Sequence, residues 1–300
     1  MAALAGFSGP ALAQVGPSIP SDLPGAVQIG EPQRKTIQEF VAARRDELLK
    51  GEEPRIQSAR RALLGPLGAR EVSLPFRREY ASAWQPVVDA MVKDTQEFRV
   101  VNGLRIAGEL AVPASVGVIR TALSDQRPAV RYAAAFGAGR LFEEVDRQTP
   151  AIAAAQLNDL LTAISGQAGK EADTFVLDGL MLAMAASTKV RQTQVADFRS
   201  GAFIAVANAA SARAKAIPEQ QSQIGHLAVI VRALRATRDA ITNVGEPKLS
   251  APANAAGAGF AKDVQAMVER VKAKPELGLD ESLLNSAMEA AKTVEKLAGQ

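Results

Sequence analysis

The chain has 300 residues, of which 47% are hydrophobic but only 4% aromatic, and its formal net charge is +3. Alanine supplies much of the hydrophobic fraction, and no segment shows the alternation of β-branched and aromatic residues that sandwiches and barrels need. The lack of cysteine excludes disulfides and thiolate chemistry, and the single histidine, His226, excludes a multi-histidine site within one chain. The composition therefore predicts an all-α protein, with no metal and no cofactor.

The first residues, MAALAGFSGPALA, form an apolar run of small side chains. The run ends in Ala11-Leu12-Ala13, an A-x-A sequence of the kind that signal peptidase cuts. We interpret residues 1–13 as the remnant of a signal peptide and expect an exported protein, periplasmic or secreted. A cytoplasmic protein with an Ala/Gly tail is the alternative. Residues 14–32 hold four prolines and no helical periodicity, which predicts a flexible leader.

Between residues 33 and 243, amphipathic segments alternate with short breaks. Proline stands at or near the starts of several segments and glycine near their ends, the positions where each residue destabilises a helix least. The predicted helices are 33–50, 54–66, 73–92, 95–111, 114–124, 128–144, 150–166, 171–187, 192–216 and 219–242. Loops of only a few residues force consecutive helices to lie antiparallel. Ten helices therefore predict about five antiparallel pairs.

One of these pairs, residues 113–143, is especially clear. Its second helix begins at Pro128, and apolar residues then recur at i, i+3, i+4, i+7, i+8 and i+11, which is a complete apolar stripe. The stripe consists of Val130, Ala133, Ala134, Gly137, Ala138 and Leu141. Glycine inside a helix costs about 1 kcal/mol relative to alanine. Close contact between helices is the gain that would offset this cost.

This segment resembles a HEAT-type repeat, in particular the short variety first associated with bilin lyases. The resemblance rests on the Leu-Ser-Asp turn at 123–125, the Pro-Ala-Val-Arg start at 128–131 and the Ala/Gly-rich second helix. It implies an α-α superhelix, a solenoid of antiparallel helix pairs. It also implies that Asp125 and Arg131, six residues apart, form a structural pair that links neighbouring repeats.

Weaker versions of the pattern recur at 55–67, 98–110 and 175–187. Each has an apolar stripe with small residues near its middle, at irregular steps of 43, 31 and 46 residues. Known helical repeats recur at about 40–47 residues. A lone helix pair cannot bury both of its faces, so several pairs must stack. We interpret residues 244–259 as a linker, and residues 260–300 as C-terminal helices that cap the array or dock a partner.

The segment 76–86 combines basic and aromatic side chains: Arg77, Arg78, Tyr80 and Trp84. Tyr80 and Trp84 are four apart and therefore lie on one helical face. Arginine beside aromatic rings can bind nucleic-acid bases or a glycan, and some HEAT-like proteins are DNA glycosylases. The alternative is that the two rings close a junction between helix pairs. That alternative is favoured, because nucleic-acid binders carry denser basic charge.

Other polar residues indicate packing or surface more than chemistry. His226 lies in an apolar helix with no carboxylate or nucleophile close in sequence, and it is interpreted as a packed or surface side chain. Glu143, Glu144 and Asp146 at a helix end are typical of a solvated surface. No phosphate-binding glycine loop or nucleophile elbow is present.

These patterns favour a non-catalytic scaffold or protein–protein interaction module that binds a protein or peptide through a helical surface. No enzymatic activity is favoured. Exposed arginines on second helices, Arg105, Arg131 and Arg140, are the first candidates for binding. The alternative is a nucleic-acid-binding or nucleic-acid-modifying protein that uses the basic and aromatic residues of segment 76–86. A third possibility is that the ends of the array stack chain on chain. No segment is apolar for long enough to span a membrane.

Overall fold

The computed structural model describes residues 16–217, 225–242, 248–277 and 280–299. Over these residues the protein is all-α, without strands, and each of the ten predicted helices is present with shifted ends. The helices are α1 (Glu31–Lys50), α2 (Glu53–Leu64), α3 (Leu74–Val92), α4 (Glu97–Leu110), α5 (Pro113–Ala122), α6 (Pro128–Arg147), α7 (Ala154–Lys170), α8 (Thr174–Ser187), α9 (Phe198–Ala216), α10 (His226–Thr242), α11 (Ala251–Lys272) and α12 (Glu281–Ala298).

The helices stack in two layers. The odd-numbered helices form one layer, in which each packs on the next from α1 to α11, and the even-numbered helices do the same from α2 to α12. Each odd helix also packs on the even helix that follows it. The described part of the chain is thus an α-α superhelix of six antiparallel pairs, which confirms the predicted fold class.

Small residues bring α4, α6 and α8 of the even layer close together. A Cβ atom added to Gly108 on α4 would lie 2.5 Å from the carbonyl oxygen of Gly137 on α6, closer than real Cβ contacts allow. On the other side of α6, a Cβ atom on Gly179 of α8 would lie 3.1 Å from the ring of Tyr132. The apolar stripe of α6 therefore packs through its glycine, as the sequence indicates.

The even helices α4, α6 and α8 each begin just after an acidic residue whose carboxylate accepts a backbone N–H two residues later. The acid and N–H pairs are Asp94 with Gln96, Asp125 with Arg127, and Glu171 with Asp173. This recurring turn marks the repeat, although the sequence around it varies.

The link between neighbouring repeats differs from the predicted Asp125–Arg131 pair. The carboxylate of Asp125 instead accepts from the side chain of Arg127, at 2.9 Å. Arg131 reaches the next repeat, where its Nε and Nη2 atoms donate to the two carboxylate oxygens of Glu171 at 2.8 and 2.9 Å. At Asp125, Arg131 donates to the backbone oxygen and not to the carboxylate. The prediction was wrong in its acid, because Arg131 lies one turn into α6 and faces α8.

The predicted flexible leader is also corrected. Residues 16–30 run along the odd layer, and the buried Leu23 packs into the core. The Ser73 backbone N–H donates to the carbonyl oxygen of Pro24 at 2.8 Å, and Arg44 donates to that of Pro17 at 3.0 Å. Because side chains and backbone of the domain satisfy its carbonyls, this proline-rich segment is held in place. The predicted signal-peptide remnant, residues 1–13, lies outside the described residues.

The predicted linker, 244–259, is wrong from residue 251 onward, because α11 begins there. Ser250 caps this helix by accepting the N–H of Ala253. The Ala/Gly composition that suggests a linker is here a packing device, since a Cβ atom on Gly257 would lie 3.0 Å from the Phe203 ring. Together, α11 and α12 form the sixth pair and cover α9 and α10. Residues 243–247 lie outside the described part of the chain.

Candidate functional site

A groove of about 470 Å³ crosses the outer face of α4, α6 and α8. Three of the largest exposed apolar side chains line it: Tyr132 and Phe136 of α6, which are 40% and 45% exposed, and Phe175 of α8, which is 79% exposed. Its remaining lining residues are Val101, Arg105, Pro128, Ala129, Ala133, Asp173 and Val176. We call this surface the aromatic groove.

The groove aromatics are exposed because of how α6 packs. Its apolar stripe already faces the core, where Val130, Ala134 and Leu141 are fully buried. Tyr132 and Phe136 fall four residues apart outside that stripe, so α6 presents both on its free face. Phe175 stands in the first turn of α8, where Asp173 caps the helix by accepting the N–H groups of Phe175 and Val176.

Arg105 supplies a positive charge to the groove. Its guanidinium carbon lies 5.7 Å from the centroid of the Phe136 ring, within the range of a cation–π contact. Within the described part of the chain, no carboxylate lies within ion-pair distance of Arg105. Arg105, a binding candidate from the sequence, thus lines the groove and is half-buried, and its role in binding stays a prediction.

The two other arginines predicted on second helices are engaged in ion pairs. Arg131 binds Glu171, as described above. Arg140 binds Glu109 at 2.9 and 3.1 Å and also contacts Glu143, and these acids raise the pKa of its guanidinium. Arg140 does not line the aromatic groove. Both arginines connect helices, and a partner would have to compete with these acids for them.

Segment 76–86 lies on α3, and most of its predicted binding residues lie in the core. Tyr80 and Trp84 are fully buried, and the Tyr80 hydroxyl donates to the carbonyl oxygen of Leu63 at 2.7 Å. Arg77 is buried as well, with Glu144 at 3.5 Å, whereas Arg78 is exposed. These positions do not fit a nucleic-acid or glycan site, because a base or sugar cannot stack on a ring that has no exposed face.

The segment instead closes a junction between helix pairs. Tyr80 lies 5.1 Å from Phe76 and 6.1 Å from Phe40 of α1, measured between ring centroids, so the rings join α3 to α1. Burial raises the pKa of the Tyr80 hydroxyl and lowers that of the Arg77 guanidinium. Both shifts reflect enclosure in the core and fit the packing alternative.

A second cavity, of about 320 Å³, opens between α8 and α10. Basic side chains of α10 and of the loop after α8 line it, among them Arg232, Arg235, Lys189 and Arg191. Two of these side chains form ion pairs, Arg191 with Asp146 and Arg232 with Asp178. This cavity has no exposed aromatic ring, so it offers less than the groove does for holding an apolar partner.

The remaining polar candidates are structural. His226 is buried, and its pKa is lowered by burial first and by Arg213 second. Glu144 is buried between Arg77 and Arg147, so the expectation of a solvated acidic cluster is wrong for this residue. No group of three or more His, Asp or Glu among the described residues could hold a metal ion. No described helix is long and apolar enough to cross a bilayer.

No protein-family model matches the sequence, and a search of curated proteins by sequence found no match. Solved structures that resemble the fold include an engineered protein with 13% identity, which covers 87% of this chain and 97% of its own at a TM-score of 0.48. A designed armadillo repeat protein has 14% identity, with 87% and 99% coverage and a TM-score of 0.43. Human deoxyhypusine hydroxylase has 13% identity, with 89% and 99% coverage and a TM-score of 0.35.

Likeness at these TM-scores says nothing about what this chain binds or catalyses. The class of protein follows from the helix packing itself, in which six antiparallel pairs stack in two layers. The chain is a helical repeat protein. Its assignment to the HEAT type in particular stays a prediction.

Sequence reasoning missed the three groove aromatics. A signal was nevertheless present, because the stripe of α6 is complete without Tyr132 and Phe136. An aromatic residue outside such a stripe is a candidate for exposure, although Phe142 of α6, also outside the stripe, is fully buried. Phe175 carried a weaker signal, since its exposure depends on where α8 begins.

Proposed function

We propose that this protein is a non-catalytic interaction module that binds an apolar segment of a partner protein in the aromatic groove. The observation that carries this proposal is the exposure of Tyr132, Phe136 and Phe175 on one face of three adjacent helices. Monomeric proteins rarely leave large apolar side chains clustered on a surface unless a partner covers them.

The energetics of the groove fit this role. Each aromatic side chain can bury about 150–250 Å² against a partner, and aromatic residues dominate the affinity of protein interfaces. The groove floor is preformed, because the glycine contacts hold α4, α6 and α8 at close distance. A partner therefore binds a surface that needs little ordering, which favours affinity.

The test is selection of a phage-displayed random-peptide library on the intact protein. Selected peptides are then measured by fluorescence polarisation against the wild type and a Phe136→Ser/Phe175→Ser variant. We expect binding to weaken by about tenfold or more, roughly 1.4 kcal/mol, because two apolar contacts are lost. Val27→Ser is the matched control, since Val27 is exposed outside the groove. Selected peptides that bind the wild type and the Phe136→Ser/Phe175→Ser variant equally would refute the proposal.

The nucleic-acid alternative has less support. Of its four residues, only Arg78 is exposed, and Arg77, Tyr80 and Trp84 are buried. A nucleic-acid site on α3 would need the core to open. Binding of single-stranded DNA at low salt that is lost in an Arg78→Gln variant would restore this alternative.

We propose further that the protein works outside the cytoplasm and that its repeats are of the HEAT type. The support for export is the Ala11-Leu12-Ala13 sequence, and the support for the repeat type is the turn and helix pattern of residues 123–141. Mass spectrometry of the protein from its native host tests the first point. Cleavage after Ala13 is the expected result, and an intact Met1 would remove the proposal of export.

A further inference from the structure

The cavity between α8 and α10 carries an unbalanced charge. Five basic side chains line it against two acidic ones, an excess of three that equals the excess of the whole chain. The aromatic groove, by contrast, has one arginine and one aspartate in its lining, and a polar cavity between α11 and α12 has two lysines and two glutamates. Of these three concave surfaces, the one between α8 and α10 therefore attracts anions most strongly.

Each of the two acids in the lining already has an arginine partner. Asp146 accepts the backbone N–H of Arg191 at 2.8 Å and its guanidinium at 3.2 Å. Asp239 lies 2.8 Å from the guanidinium of Arg238, a residue outside the lining. The acids are thus held by two arginines, and the other basic residues of the lining supply the excess positive charge.

Lys189 and Arg235 belong to that excess, because in the described part of the chain neither has a carboxylate within ion-pair distance. Unpaired cations are ordinary at an open surface, but a cleft focuses the field of the charges that line it. The buried guanidinium of Arg199 lines the same cavity. It donates to the carbonyl oxygens of Thr188 at 3.1 Å and Ala240 at 3.0 Å, which fixes its charge in place.

Apolar side chains form most of the rest of the lining. Met181 and Ala233 are buried, and Leu182 of α8 is 44% exposed. The volume of about 320 Å³ lies at the lower end of the range for small-molecule sites, roughly 300–1,000 Å³. The cavity therefore combines a size suited to a small ligand with both an apolar wall and a set of cations.

A carboxylate on an apolar body matches both parts of this lining. Its oxygens accept charge-assisted hydrogen bonds from lysine and arginine, which are roughly twice as strong as neutral ones. We infer that the cavity binds a small organic anion, whose carboxylate meets Lys189 and Arg235 and whose apolar body lies against Leu182 and Met181. This site is separate from the aromatic groove, and the inference does not depend on the proposed function.

The test is calorimetric titration of octanoate, octanamide and inorganic phosphate into the intact protein at low salt. Octanamide lacks the charge of octanoate, and phosphate lacks its apolar body. We expect each of the two to bind at least about tenfold more weakly than octanoate does. A Lys189→Gln/Arg235→Gln variant should bind octanoate and octanamide equally, and a Leu182→Ser variant should bind both more weakly than the wild type does.

Lys274→Gln/Arg120→Gln is the matched control, because it removes one lysine and one arginine at exposed positions outside the cavity. It should keep the preference for octanoate, and loss of the preference in this control would overturn the inference in favour of a net-charge effect. Octanoate that binds the wild type no more tightly than octanamide or phosphate would also overturn it. Octanoate binding that disappears in the Phe136→Ser/Phe175→Ser variant would overturn it as well, by placing the ligand in the aromatic groove.

Discussion

Two aromatic pairs with the same spacing differ in burial in this protein: one pair is buried and the other is exposed. On α3, Tyr80 and Trp84 are four residues apart and fully buried. On α6, Tyr132 and Phe136 are also four apart, and both are exposed. The two pairs look alike when each is considered alone, and only the neighbours of each pair in its own helix distinguish them.

The difference lies in what fills the core face of each helix. On α3 the aromatic residues are themselves the stripe, since Phe76, Tyr80, Trp84, Val88 and Met91 are all buried. On α6 small residues fill the middle of the stripe and draw α4 and α8 close, which leaves no space for a ring there; the ring that α6 buries, Phe142, lies nearer its C-terminal end. Where α6 packs through small residues, its large side chains Tyr132 and Phe136 therefore lie outside, where they can meet a partner.

The largest effect expected to test this contrast is the truncation of Trp84. Trp84→Ala should lower the free energy of unfolding by about 3–5 kcal/mol, because it leaves a large cavity in the core. Urea unfolding followed by circular dichroism measures it. A loss below about 1 kcal/mol would mean that the α1–α3 junction is not closed by these rings.

A somewhat smaller effect on the free energy of unfolding is expected from Glu171. Its contacts with Arg131 and with the Asp173 N–H hold the start of α8, where Phe175 lies. Burial raises the pKa of Glu171, but hydrogen bonds from Arg131, Gln167 and the Asp173 N–H outweigh it and lower the pKa from 4.5 to about 2. A carboxyl group with a lowered folded-state pKa stabilises the fold above its unfolded pKa. This contribution, about 3 kcal/mol, is lost as the pH falls from 4.5 towards 2.

Glu171→Gln should remove this pH dependence from urea unfolding curves measured across that range. Glu39→Gln is the control, because Glu39 lies exposed on α1 and its contact with Lys35 is long, at 3.9 Å. The control should change stability by less than about 0.5 kcal/mol. If both variants keep the full wild-type pH dependence, the link between Arg131 and Glu171 does not stabilise the array.

The glycine contact between α4 and α6 should give an intermediate effect. Gly108→Ala should lower the free energy of unfolding by about 1–3 kcal/mol, because its Cβ atom would meet the Gly137 backbone, which cannot move aside. In Gly117→Ala the new Cβ atom on α5 meets no atom within 4 Å. That variant should gain about 0.5–1 kcal/mol from helix propensity. Opposite signs in thermal unfolding would confirm that the even layer packs through glycine.

The smallest effect on stability is expected from Phe136. Phe136→Ala loses a cation–π contact worth about 0.5–1 kcal/mol at an exposed site and gains helix propensity of similar size. Its melting temperature should therefore match that of the wild type, while binding of a selected peptide weakens. A large loss of stability would show that Phe136 belongs to the core after all, and the contrast with Trp84 would disappear.

Much of the fold could be predicted because it depends on local patterns. The stripe of α6 and the prolines in the first turns of α3 and α6 act over a few residues. The partner of Arg131 could not be predicted in this way, because Glu171 lies 40 residues further along the chain. The helix at Ala251 was missed because an Ala/Gly-rich segment resembles a linker until Phe203 packs against Gly257.

The sequence by itself determined that the chain forms helices, roughly where most of them begin and end, and that they pair and stack. Hydrophobic periodicity and helix caps depend on residues close in sequence, so they can be recognised without the tertiary structure. Only the tertiary structure decided which aromatic pair is buried and which lines a groove, and which arginines meet an acid. Those outcomes depend on the distance between helices from different repeats, and glycine contacts between α4, α6 and α8 set that distance.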